Sequence, residues 1–587
     1  MRLVCMWIVV LATVLSPAGG AEDPLQGFSD YVMKRMEEFE VPGMAVGVIQ
    51  NGKVIFSEGF GYRDVEKKLK VSPQTLFSIG SVSKPFTALS LAMLVDEGRL
   101  DWDRPMIEYL PDFRLKDEYA TLHTTPRDLL CHRTGLPGYY LMLRATSLDR
   151  EGIYKRLHHL EPSAGFREAY QYSNLSYMIA GYLAGRISGL TWEEHVKRRI
   201  FGPLGMTRTG FSTEDKQRNY NSALPYEIRN GQLTVITPQP LTAAAPAGGI
   251  VSNVEELLRW LELYLNGGKA GSKRLVQEKN LEEMITPLMP VDYSPESAAG
   301  PVGFYGLGWN IRPYRGRYLV HHGGWIDGFV SWVSFMPFEK KGIITLSNRG
   351  QQLLPYWIHY SIYHRLLGLE GDWTAFLHPE IEDSNEGQAS PSEQGPPPTH
   401  PLVEMTGFFE HPAYGRIAVE MEGEGLRAVF PNGVAVPLKH FRYNVFLSEH
   451  EVSEFDGLRF HFPVSAIGGI ECFRVPLQPE VNGRQVPDAV FERVAEAGLW
   501  NKDFLRRIAG EYEFRGAVIK IEPKGGDRLY VSIPGEPDQE LEPYSKEIFK
   551  IKGKEHGRVE MKIDENGNVI GADVLLQEGF FHAKRKN

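Results

Sequence analysis

The stretch from Glu380 to Pro401, "EIEDSNEGQASPSEQGPPPTHP", holds a single large apolar residue, Ile381, among acidic, Ser and Pro residues. Such a segment has almost nothing to bury and cannot thread a hydrophobic core. It reads as a linker over 380–401 and divides the 587-residue chain, which is too long for one core in any case. The two sides differ in texture. Ahead of it, "FSDYVMKRMEEFE" has helical spacing, and "MAVGVIQNGKVIFSEGFGY" places two β-rich runs around Asn51-Gly52, a strong hairpin signal. A mostly helical middle follows, then the β-rich "RYLVHHGG", "GFVSWVSFMP" and "KGIITLSN", and a helical stretch around "LPYWIHYSIYHRLLG". Strands at both ends with helices between predict an α+β domain over 22–379, one antiparallel sheet flanked by helices with a helical lobe.

Beyond the linker the chain reads as short strands and repeats itself. "TGFFEHPAYGRIAVEMEGEGLRAVF" from Thr406 resembles "AGEYEFRGAVIKIEPKGGDRLYVSI" from Ala509. A period of roughly a hundred residues is too long for a solenoid, so two small all-β, barrel-like domains are expected, over 402–496 and 503–587.

At the N-terminus, Met1-Arg2 precede an apolar run from Leu3 to Leu15, and "SPAGGAEDP" then offers small residues for cleavage near Gly20 or Ala21. This predicts a removable secretory signal over 1–21 and a secreted or periplasmic protein with no stable membrane span after processing. The net charge of −10 gives no reason to expect nucleic acid or an anionic membrane as partner. Only Cys131 and Cys472 would remain in the mature chain, too few for a disulfide framework or a Cys-based zinc site. No metal or cofactor is expected; the partner is a small-molecule or peptide substrate, and the oligomeric state is left open.

Three short segments carry chemistry. In "FSIGSVSKPFTALSLAMLVDEGRL", Phe86, Leu89, Met93 and Leu94 recur at helical spacing. A helix beginning near Ser81 places Ser81 and Lys84 one turn apart on one face, with Pro85 tolerated in the first turn. Alone, the pair reads equally as a polar first turn. In "QYSNLSYMIAGYLAGRISG", Tyr172 precedes an apolar helix that Ser173 or Asn174 would cap. In "VHHGGWIDGF", Gly323 and Gly324 permit close approach of another backbone or a ligand. Strand alternation puts His321 and His322 on opposite faces.

Together these segments resemble the serine β-lactamase/penicillin-binding-protein superfamily, in its class C-like branch, which includes D-alanyl-D-alanine carboxypeptidases, D-aminopeptidases and esterases. The S-x-x-K motif is Ser81-Val82-Ser83-Lys84, the Y-x-N motif Tyr172-Ser173-Asn174, and the third motif, K-T-G in many members, is His322-Gly323-Gly324. "LVDEGRLDWDRPMIEYLPDF", "LLCHRTGLPG", "RIFGPLGMTRTGF" and "PAGGIVSNVEELLRWL" extend the likeness over about residues 25–370.

The resemblance implies a nucleophilic Ser81 that forms an acyl-enzyme, with Lys84 or a Tyr172 phenolate as the working base and Tyr172 relaying a proton to the leaving group. Asn174 would bond Lys84 and the substrate amide, and the backbone N–H groups of Ser81 and Trp325 would hold the oxyanion. His322-Gly323-Gly324 departs from K-T-G. It lacks the hydroxyl, and a histidine near its ordinary pKa is only partly charged at pH 7. That favours an esterase or a D-amino-acid peptidase or amidase over a β-lactamase or carboxypeptidase. The rival reading is a sensor or scaffold on the same fold that acylates without turnover or has lost activity. The C-terminal repeats resemble the lipocalin-like β domains appended to some members, which implies modules that shape the mouth of the site.

Overall fold

The computed structural model describes residues 23–211, 221–229, 231–238, 241–291, 302–369, 395–450, 455–465, 468–478, 486–494, 502–524, 528–545, 547–554, 557–576 and 579–586. The expected signal over 1–21 and positions 380–394 of the expected linker lie outside them.

Among the described residues nine strands form the main sheet. They are β1 (Gly43–Gln50), β2 (Lys53–Asp64), β3 (Leu69–Lys70), β4 (Met289–Val291), β5 (Gly303–Tyr305), β6 (Asn310–Tyr314), β7 (Arg317–Ile326), β8 (Phe329–Met336) and β9 (Lys341–Ser347). Their order is β4-β5-β6-β7-β8-β9-β1-β2-β3, with neighbours antiparallel throughout. The two ends of the domain meet where β1 pairs β9, from Met44↔Ser347 to Gln50↔Lys341. Asn51 and Gly52 turn β1 into β2 with φ of 52° and 73°, the left-handed pair that a type I′ turn requires.

The principal helices are α1 (Phe28–Glu38), α2 (Ser83–Asp96), α3 (Tyr140–Arg144), α4 (Asn174–Ser188), α5 (Val254–Leu265) and α6 (Leu354–Leu366). β1 is covered on both faces, as alternation demands of a central strand. Met44, Val46 and Val48 join the apolar cluster that holds Phe28 of α1 and Ile358 of α6, whereas Ala45 and Ile49 join the one that holds Leu257 of α5 and α2. Every residue of α2 from Ser83 to Leu94 is buried, so this helix runs through the middle of the domain and is not a half-exposed one. Its first turn also differs from expectation. Gly80–Val82 form a 3₁₀ turn and the α-helix starts at Ser83, so Ser81 sits just ahead of the helix, where its side chain can leave the core.

The repeated C-terminal halves form two closed eight-stranded barrels. The first runs from Gly407–His411 to Ala489–Val494 and is closed by Phe408↔Val494; the second runs from Gly510–Phe514 to Gly579–Arg585 and is closed by Tyr512↔Arg585. Closure removes the free edges that such short strands would otherwise expose. The apolar interior of the first barrel is continuous with that of the helical lobe, while the second barrel has a separate core.

Candidate active site

The N-termini of α2 and α4 and the end of β7 converge on Ser81. β7 lies hard against the 3₁₀ turn because glycines leave room. A β-carbon on Gly324 would stand 2.1 Å from the carbonyl oxygen of Ile79, and one on Gly80, itself at φ 51°, would stand 3.1 Å from the Trp325 backbone nitrogen. Ser331 Oγ donates to the same Ile79 carbonyl at 2.8 Å and fastens β8 to the turn. The backbone of Trp325 is thereby brought against Gly80, the residue before the serine.

Lys84 is fully buried. Its Nζ lies 2.7 Å from Asn174 Oδ1, 3.0 Å from the Ala247 carbonyl oxygen and 2.9 Å from Ser81 Oγ. Burial alone drives its pKa well below the ordinary lysine value. A neutral amine has two N–H groups and one lone pair. Nζ donates to Asn174 Oδ1 and the Ala247 carbonyl, so that once deprotonated its lone pair would face the Ser81 hydroxyl.

The Tyr172–Asn174 segment is held from both sides. Ser173 caps α4 by accepting from the Ser176 N–H, donates its own hydroxyl to the Pro137 carbonyl, and gives its backbone N–H to Nδ1 of the buried His132. This fixes the Tyr172 ring with its centroid 4.6 Å from Lys84 Nζ. Burial raises the Tyr172 phenol above its ordinary pKa, Tyr140 adds to the rise, and the Ser81 hydroxyl opposes it. The phenol is therefore neutral, a proton donor and not a phenolate.

His322 requires a correction. It is 2% exposed and both its ring nitrogens are engaged. Nδ1 donates to the Gly323 carbonyl at 2.7 Å, and Nε2 lies 2.9 Å from the Tyr305 hydroxyl, from which the neutral ring accepts. Burial first, and Lys84 nearby second, push its pKa down to about 3. The partial positive charge expected of a histidine with an ordinary pKa is absent. His321, on the opposite face, stacks on Trp332 and does not face the site.

A pocket opens over Ser81. Gly80, Asn174 and the exposed Trp325 line it together with Leu143 and Arg144 of α3 and with Asp327. Within this lining Arg144 Nη2 donates to Asp327 Oδ1 at 2.6 Å, with side chains 7% and 11% exposed. The sequence reading missed Arg144, Asp327, His132 and Tyr305 as parts of the site. Asp327 stands within the quoted "VHHGGWIDGF", where the glycines drew attention and the carboxylate did not. Among the described residues no group of three or more His, Cys, Asp or Glu side chains is placed to hold a metal ion.

With this geometry in hand, the comparisons with known proteins agree in kind. A family model described as Beta-lactamase matches residues 28–357, and a domain of unknown function, DUF3471, matches 391–488. The unguisins hydrolase ungD' of Aspergillus campestris is 28% identical over 70% of this chain and 80% of its own. Protein flp of Staphylococcus aureus is 28% identical over 58% of this chain and 66% of its own. In fold, the octameric penicillin-binding protein homologue from Pyrococcus abyssi superposes with a TM-score of 0.51 at 22% identity, over 87% of this chain and 98% of that one.

Proposed function

Because the chain belongs to the beta-lactamase family of serine hydrolases, we propose that it cleaves an ester or amide through an acyl-enzyme on Ser81, as an esterase or a D-amino-acid peptidase or amidase. The observation that carries this reading is the 2.9 Å approach of the fully buried Lys84 Nζ to Ser81 Oγ, with Nζ also held by Asn174 Oδ1 and the Ala247 carbonyl. In the first step the Ser81 hydroxyl gives its proton to the Lys84 lone pair as Oγ attacks the carbonyl carbon. The backbone N–H groups of Ser81 and Trp325 take the developing oxyanion. Tyr172, neutral and beside Lys84, hands a proton to the departing alcohol or amine and is reprotonated from Lys84. Water repeats the sequence on the acyl-enzyme and frees Ser81. Asn174 keeps Lys84 in place and offers its amide to the substrate.

The neutral His322, with glycine where a threonine hydroxyl would stand, supplies neither a charge nor a hydroxyl for a substrate carboxylate, which argues against a β-lactamase or carboxypeptidase. The relative named for hydrolysing unguisins supports hydrolysis in general. The apolar leader with its small-residue cleavage site supports export, and N-terminal sequencing of the mature protein from near Ala21 or Glu22 checks it. For the chemistry, Ser81→Ala should lose roughly three or more decades of kcat/KM on any ester that is turned over, with the fold intact. A fluorophosphonate should add to Ser81 and to no other residue. Undiminished turnover in the alanine variant, or an adduct elsewhere, ends the assignment.

A further inference from the structure

The segment "LLCHRTGLPG" shares in the family likeness but has no part in the proton transfers above. Its His132 is nevertheless packed directly on them. The residue is fully buried and follows the short helix Pro126–Leu130 at φ 61°, in the left-handed region. Its ring lies against those of Tyr172, Tyr305 and Tyr177, with centroids 4.6, 4.7 and 5.1 Å away.

Tyr172 stands one residue ahead of the cap of α4, beyond the reach of that helix's own hydrogen bonds. The amides on its two sides are fixed instead, and both go to His132. The Gln171 N–H donates to the His132 carbonyl oxygen at 2.8 Å, and the Ser173 N–H donates to Nδ1 at 3.0 Å. Gln171 and Ser173 are themselves buried, so water cannot replace either acceptor. Because Nδ1 accepts, the neutral ring carries its proton on Nε2. A second proton would set two N–H groups against each other, and burial, with Lys84 and His322 nearby, opposes that charge.

We propose that His132 is a positioning residue for Tyr172, whose phenol it keeps in register with Ser81 and Lys84 by gripping the amides on both sides. This rests on the reading of Ser81 as the acylated nucleophile and of Tyr172 as the proton relay. The bond to the His132 carbonyl survives any substitution there, but the bond to Nδ1 does not. Without it the Ser173 N–H is buried with no acceptor, and the Tyr172 segment shifts to find one. Lys84 is spared, because its partners Asn174 and Ala247 lie in α4 and in the short helix Ala245–Gly248. The loss therefore falls on proton delivery to the leaving group and not on the first proton removed from Ser81.

The leaving group reads that difference, since p-nitrophenolate departs without a proton and ethoxide does not. In the full-length protein, His132→Leu should lower kcat/KM about ten-fold on p-nitrophenyl butyrate and about a hundred-fold on ethyl butyrate. A general loss of order would lower both alike. His132→Asn puts an amide oxygen close to the place of Nδ1 and tolerates positive φ, so it should stay within about five-fold of the parent on both esters. In a Tyr172→Phe background His132→Leu should cost less than about three-fold more, since the group it positions is gone. Should His132→Leu not fold, as read by thermal melt, His132→Gln makes the same contrast with Asn, its amide reaching the place of Nε2 instead. Where deacylation is slow, the mass of the acyl adduct on Ser81 gives the same ratios. Equal losses on the two esters, an Asn variant as poor as Leu, or a full further loss in the Tyr172→Phe background overturns the proposal. Undiminished turnover in Ser81→Ala defeats the hydrolase reading, and the proposal with it. The overturning outcomes in a protein whose Ser81 is still labelled by a fluorophosphonate defeat the proposal alone.

Discussion

Lys84 and Asn174 stand in the first turns of helices of 14 and 15 residues, with Ser81 just ahead of the first, and these side chains bond one another directly. Arg144 and Asp327, also in the lining of the pocket, stand on a five-residue helix and in a hairpin turn, and their positions depend on contacts with a separate barrel and across the cleft. The first set of elements is largely buried, whereas the five-residue helix rests against the first barrel. Chemistry common to many substrates can be housed in the first kind of structure, and discrimination among substrates in the second, where a change in one supporting contact does not disturb the proton transfers. Substitutions in the first set should therefore lower every rate together, and those that loosen the second should alter ratios.

The largest effects belong to the proton machinery. Lys84→Ala and Tyr172→Phe should each lower kcat/KM by roughly three decades on p-nitrophenyl esters of butyrate, of succinate and of β-alanine alike. These are neutral, anionic and cationic in their acyl parts. The double variant should be little worse than either. Steady-state rates of the four proteins complete the cycle. Multiplicative losses would show the two groups working independently, and losses that differed among the substrates would break the division between the two regions.

A smaller effect concerns pH. Lys84 works as the free amine, so activity should fall as pH drops through its depressed pKa and level off above it. His322, with its pKa pushed down to about 3, should contribute no inflection between pH 5 and 8. The succinyl-to-butyryl ratio of the parent should accordingly be flat from pH 8 to 6. A rise toward pH 6 would mean that His322 gains a proton and meets the carboxylate, and the neutral assignment would fall.

Much of the helix-borne region was legible in the sequence because its signals are local. Asn51-Gly52 marks a turn that only left-handed residues make, Ser81 and Lys84 stand one turn apart, and Ser173 precedes an apolar helix. The duplicated barrels were legible because the pattern occurs twice. What escaped depends on distance along the chain. The charge state of His322 follows from a Tyr305 hydroxyl on another strand and from complete burial, neither of which a histidine between a histidine and two glycines can announce. α3 is too short to display a period, and Arg144 meets Asp327, which lies 183 residues away, and Asn432, 288 residues away. The helix start was misplaced by one short turn because Gly80 at positive φ tightens the backbone into a 3₁₀ turn ahead of Ser83.

The smallest expected effect separates the two barrels. They share a fold and a repeated sequence, but the first touches α3 through Asn432 and Gln478, and the second meets the first through bonds such as that from the Tyr544 hydroxyl to the Ile470 carbonyl, 3.0 Å long. Each substitution that removes one such bond forfeits about 1 kcal/mol, a factor of roughly five in whatever equilibrium the bond governs. For Asn432→Ala that equilibrium is the seating of α3, so the ratios among the butyryl, succinyl and β-alanyl esters should shift about two- to five-fold, with a change in KM larger than that in kcat. For Tyr544→Phe it is the docking of one barrel on the other, which lies outside the pocket lining, so the same ratios should hold while the melting temperature falls slightly. Measuring both variants against the three esters and by thermal melt decides the matter. Equal shifts in the two would mean that the second barrel also steadies α3 through the first, and an Asn432→Ala variant with the parent's ratios would mean that α3 keeps its place without the barrel's cap.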